Sequence, residues 1–109
     1  MAVVGEPHVL LLGGGYTLQR VAELLPRDSF VITSRSAETC GEWRRRGWNA
    51  QQVDLENRES IITLFATYRS IRTIVDSVPP VRGGGDPATG VRNLVSVSKD
   101  KQIKRIIYL

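Results

Sequence analysis

Gly13-Gly14-Gly15-Tyr16-Thr17 follows the apolar run Val9-Leu10-Leu11-Leu12 and precedes an amphipathic helical pattern, and its residue types suit gripping a nucleotide diphosphate. Glycine lets a backbone turn tightly and approach phosphate oxygens, while a helix opening at the turn aims its first N–H groups and its positive dipole end at them. The spacing is that of a G-x-G-x-x-G fingerprint, with Gly13 making the turn, Gly15 allowing close approach to the pyrophosphate, and Leu18 standing where the third glycine belongs. A branched side chain there pushes the helix outward or needs a small neighbour. Tyr16 either covers the diphosphate or packs on its own neighbours, and Thr17 completes the candidate turn.

Three further positions extend the site. Thr33-Ser34-Arg35 lies about 20 residues past the turn, where an acid would hydrogen-bond the ribose hydroxyls of NAD and an arginine would take a 2′-phosphate. No acid is present, and Arg35 offers a planar fork to phosphate, so NADP is favoured over NAD. A charge-assisted contact of this kind is worth about 1.5–3 kcal/mol, on the order of 10–100-fold in affinity. Asp54 can accept from an adenine amino group or serve the turn before Asn57. Ser77, in Ser77-Val78-Pro79-Pro80, either lines the nicotinamide-side ribose or simply ends a strand.

Other chemistries find little support. Cys40 is the only cysteine and His8 the only histidine, so there is no intramolecular disulfide and no cluster with zinc-ligand spacing. A charge of +4 with Arg44-Arg45-Arg46 between Trp43 and Trp48 permits two readings: a basic patch for nucleic acid or a phosphorylated cofactor, or a solvated helix end closed by Gly47. Aromatics at 6% give no stacking platform for single strands, which argues against nucleic acid. The N-terminus lacks the basic region of a signal peptide and the apolar run is too short to span a bilayer, so a soluble, cytoplasmic protein is expected.

At 109 residues the chain is expected to form one domain, burying roughly 65% of its unfolded surface. Strand-like runs at Val9–Leu12, Phe30–Thr33, Ala50–Val53, Thr73–Val78 and Arg105–Leu109 alternate with helical patterns, which predicts a parallel sheet covered on both faces. The first helix has Leu18, Val21, Ala22 and Leu25 inward and stops at Pro26. The second is capped by Ser36, with Ala37, Cys40 and Trp43 as its apolar face. The third is capped by Asn57, with Ile61, Leu64, Phe65 and Tyr68 inward; the fourth opens at Asp86-Pro87 with Val91, Leu94 and Val95 inward. Pro79-Pro80 and Gly83-Gly84-Gly85 mark a long loop before it. Right-handed crossovers then give a doubly wound, three-layer α/β/α sheet of strand order 3-2-1-4-5, Rossmann-like, with a crevice beside strand 1.

Leu12 to Arg20, Thr33-Ser34-Arg35, Val53-Asp54-Leu55, Asp76 to Pro80, and Gly90-Val-Arg-Asn-Leu94 through Ile103 to Leu109 together resemble the extended short-chain dehydrogenase/reductase superfamily, in its atypical, epimerase/dehydratase-like branch. The resemblance implies NAD(P) bound in this half of the protein and chemistry on sugar nucleotides, alcohols or ketones. It also implies a serine or threonine just after strand 5 and a Tyr-x-x-x-Lys pair. None of these is here: Tyr16 is followed four residues on by Arg20, Tyr68 by Arg72, and no catalytic residue is assigned. The expectation is an NADP(H)-binding N-terminal part of a longer oxidoreductase or epimerase, inactive alone. The alternatives are a non-catalytic NAD(P)-sensing module and an RNA-binding protein on the same fold. Strand 5, apolar in Ile106, Ile107 and Leu109, is expected to self-associate if its edge is open.

Overall fold

The computed structural model describes residues 6–13, 15–77, 89–99 and 101–109. Five strands and four helices alternate: β1 (Val9–Leu12), α1 (Tyr16–Leu24), β2 (Phe30–Ser34), α2 (Ala37–Arg45), β3 (Asn49–Gln52), α3 (Arg58–Thr67), β4 (Thr73–Asp76), α4 (Thr89–Ser98) and β5 (Arg105–Tyr108). All strand pairings are parallel, in the order β3-β2-β1-β4-β5. Register sets Leu11 beside Ile32 and Leu12 beside Asp76, so β1 lies at the centre and its end is flanked on both sides.

Alternation along β1 divides the core in two. Leu10 and Leu12 join Ile61, Leu64 and Phe65 of α3 and Leu94 and Val97 of α4, whereas Leu11 joins Leu18 and Ala22 of α1 and Cys40 and Trp43 of α2. The sheet is therefore covered on both faces, as its apolar runs demand. Leu18, at the third fingerprint position, is fully buried in a cluster that also holds the small Ala22 and Ala50. It has become part of the core.

Local sequence explains the helix ends. Leu25 closes α1 in extended backbone (ψ 150°), the conformation required of a residue before proline. Ser36 and Asn57 cap α2 and α3, accepting from the N–H groups of Thr39 and Glu59. Past α2, Gly47 takes φ +88° beneath the Arg27 side chain. Arg44 Nε donates to the Ala50 carbonyl at 3.0 Å and the Arg46 guanidinium lies 5.5 Å from the Trp48 ring centre, so two of the three consecutive arginines are tied to the fold.

Several expectations are corrected. Val95 is 47% exposed; the inward positions of α4 are Leu94 and Val97, with Gly90 against Leu55, where a Cβ would come within 3.1 Å of the leucine Cβ. Ala37, in the first turn of α2, is exposed. β3 begins one residue early, at Asn49, and Val53 is buried just outside it; β2 gains Ser34, and β5 ends at Tyr108. β4 ends at Asp76. Gly14, the Val78–Pro80 segment, Gly83 to Gly85, Asp86 and Pro87 lie outside the described residues, as does the Val91 side chain.

Candidate functional site

Parallel strands bring their carboxyl ends to one edge, and every candidate residue lies there. Gly13 to Thr17 follow β1, Ser34 and Arg35 end β2, Asp54 follows β3 and Ser77 follows β4. β3 is two strands from β1, roughly 9–10 Å across the sheet, so the row has the reach of an extended dinucleotide. The order reverses at β1, where ligands of open α/β sheets bind.

The two glycines of the turn differ in what they are for. Gly13 has φ +98°, which a side chain would strain, so the fold itself requires glycine there. Gly15, the N-cap of α1, has φ −67° and ψ 170°, open to any residue, and a Cβ built on it would meet nothing within 4 Å. Neither backbone nor packing accounts for a glycine at that place, and its missing side chain leaves open space before the helix. α1 has no side-chain cap and no acid in its first turn, so among the described residues neither a capping side chain nor a first-turn carboxylate competes with an anion for its first N–H groups. Thr17 is exposed, and so is Tyr16, with the Arg20 guanidinium 5.9 Å from its ring centre.

Beyond the turn, Ser34 and Arg35 form a short hydrogen-bonded corner. The Ser36 N–H donates to Ser34 Oγ at 3.1 Å, and Gln52 Nε2 donates to the Arg35 carbonyl at 2.9 Å. The Arg35 side chain is exposed, and among the described residues no carboxylate pairs with it. Asp54 is more committed: its Oδ1 accepts from the Glu56 N–H at 3.0 Å, and its carbonyl accepts from Ser60 Oγ at 2.8 Å. It makes the turn before α3. Ser77, half-buried, donates its N–H to the Leu12 carbonyl at 2.9 Å and so extends β4 alongside the end of β1.

Two residues at this edge escaped assignment from the sequence. Thr33, 2% exposed, is tied to the glycine turn by its hydroxyl. Asp76, 5% exposed, places a buried carboxyl group beside Leu12; an acid closing the apolar Thr73-Ile74-Val75 run was its sequence signal. Tyr68 packs against the α3 and α4 core, and burial raises its phenol above the ordinary value near 10, against a smaller opposing pull from Arg44. That shift is opposite to the one a tyrosine general base needs. Among the described residues no cluster of His, Cys, Asp or Glu could hold a metal, and no helix is long and apolar enough to cross a membrane.

No family model matches the chain, and no curated protein matches it. Solved structures do. A nucleoside-diphosphate-sugar epimerase from Staphylococcus aureus is 25% identical, with a TM-score of 0.70 over 93% of this chain and 37% of its own. The triphenylmethane reductase of a Citrobacter species, complexed with NADP(H), has a TM-score of 0.74 at 16% identity, over 93% of this chain and 36% of its own. An NADPH-dependent quinone oxidoreductase from Escherichia coli, complexed with NADPH, has a TM-score of 0.71 at 16% identity, over 92% and 35%. The chain spans little more than a third of the length of each.

Proposed function

We propose that this chain is the NADP(H)-binding part of an oxidoreductase or epimerase of the extended short-chain dehydrogenase/reductase type, with the catalytic serine, tyrosine and lysine lying outside these residues. The observation that carries the proposal is the open space at Gly15 at the head of α1, set on the same sheet edge as an arginine that no carboxylate among the described residues neutralises. Similarity in fold to NADPH-bound reductases supports it.

In this reading Gly13 and Gly15 bring the backbone to the diphosphate, and the first N–H groups of α1, at Tyr16 and Thr17, donate to its oxygens. Arg35 pairs with the 2′-phosphate, with Ser34 beside it. Ser77 lines the nicotinamide-side ribose. Asp54 reaches the adenine with whatever capacity its carboxylate keeps beyond the Glu56 N–H. The chemistry such a cofactor supplies is hydride transfer, and these residues bind and orient rather than react. The β5 edge, where Ile107, Tyr108 and Leu109 are exposed, pairs two copies of the chain in the same proposal; a monodisperse monomer by light scattering at high concentration contradicts that part.

Calorimetric titration with NADPH and NADH, repeated on Arg35→Ala, tests the assignment. The expected outcome is tighter binding of NADPH, by roughly 10–100-fold, falling to parity in the variant. Equal binding of both nucleotides by the unaltered chain removes Arg35 from the site, and binding of neither removes the site.

A further inference from the structure

The buried hydroxyl of Thr33 stands between the two halves of the proposed site. Its Oγ1 donates to the Leu11 carbonyl and accepts from the Gly13 N–H, both at 3.3 Å, across separations of 22 and 20 residues. The β1–β2 register runs from Val9 beside Phe30 to Leu11 beside Ile32 and goes no further, because Gly13 turns the chain out at φ +98°. At that point the ladder stops and one side chain takes over. Backbone N–H groups drawn away from water require partners, and the Thr33 hydroxyl supplies the one the Gly13 N–H lacks once the ladder has stopped, while giving its own hydrogen to the Leu11 carbonyl.

We infer that Thr33 is a positioning residue that holds the glycine turn at a fixed distance from Arg35, and that it thereby sets affinity for a 2′-phosphorylated dinucleotide. This rests on the nucleotide-binding reading above. The geometry has two consequences. With the Gly13 N–H directed inward to Thr33, the turn is held in the conformation that leaves the N–H groups at the head of α1 to a ligand. Thr33 is also two residues from Arg35 on the same strand end, so the hydrogen bond that fixes the turn also fixes the strand that carries the arginine. A ligand holding its diphosphate at one and its 2′-phosphate at the other senses any slack between them, because preorganisation is lost from both contacts together.

Thr33→Val keeps the shape and removes the hydroxyl; Thr33→Ser keeps the hydroxyl and trims a methyl group. Titration with NADPH well below the melting temperature is expected to show about tenfold weaker binding for the valine variant and binding within about twofold of the unaltered chain for the serine variant. Valine binding as well as threonine, or serine failing as badly as valine, overturns the inference, since a role in packing alone follows volume rather than the hydroxyl. Amide hydrogen exchange supplies a readout that needs neither nucleotide nor variant. The Gly13 N–H of the unaltered chain is expected to be protected although it lies outside every helix and strand, and exchange at the rate of an open loop amide overturns the inference even if NADPH does not bind. Protected Gly13 with no NADPH binding leaves the turn intact and rejects the proposed function instead, which also overturns the role of Thr33 in affinity.

Discussion

The helices α1, α2 and α3 begin in three different ways, and the differences separate structural ends from a site. α2 starts at Ser36, whose hydroxyl accepts from the Thr39 N–H, and has Glu38 in its first turn; α3 starts at Asn57, whose side chain accepts from the Glu59 N–H, and has Glu59 itself in the first turn. Both ends satisfy their own donors and carry a negative charge against the positive end of the dipole. α1 starts at Gly15, with neither cap nor acid. It is also the helix at the centre of the sheet's carboxyl edge, where the strand order reverses. Of these three helix ends, α1 alone is left without a cap or an acid, which is the contrast on which the proposed anion site rests.

Three substitutions act on that contrast with decreasing force. Gly13→Ala should damage everything: a Cβ at φ +98° costs about 1–3 kcal/mol of stability and shifts the turn, so thermal melting falls and NADPH binding is lost by titration. Thr17→Glu gives α1 the acid that α2 and α3 already have. It should leave the melting temperature unchanged or slightly raised while weakening NADPH roughly tenfold by charge repulsion, an effect that shrinks as salt is added. Asn57→Ala strips the cap from α3 and should cost about 1 kcal/mol in denaturant unfolding, with NADPH affinity the same as before. Loss of affinity in that last variant would mean that the helix ends are not independent.

Much of this arrangement is legible in the chain itself. The β1, β4 and β5 runs and the stripes of α1 and α3 are dense enough in apolar residues to fix the sheet order through crossover handedness alone. Residues escaped where burial does not need an apolar side chain. Gly90 is an inward position of α4 because its lack of a side chain admits Leu55, and counting only large apolar residues turned the predicted stripe toward Val95. Asn49 opens β3 because an edge strand tolerates polar side chains, one of which, its own amide, donates to the Phe30 carbonyl. Among the candidate residues, Gly13, Gly15 and Arg35 are read from type and spacing, and the fold sets all three at one edge of the sheet. Thr33 was not, since its value is a contact with residues 20 and 22 positions away, which no local pattern records. Asp54 could be read two ways, and its hydrogen bond to Glu56 supplies the turn while leaving the adenine contact to experiment.

The most direct test is to finish the end of α1 as the other helices are finished. Gly15 has the extended backbone of an N-cap and open space around its missing Cβ, so Gly15→Asp fits without strain. Gains from the cap, the dipole and a stiffer unfolded chain together amount to about 0.5–1 kcal/mol. Thermal unfolding and NADPH titration of this one variant should move in opposite directions, the melting temperature rising by a few degrees while binding falls by a hundredfold or more. A more stable variant that still binds NADPH as the unaltered chain does would contradict the account, because the open helix end would then hold nothing.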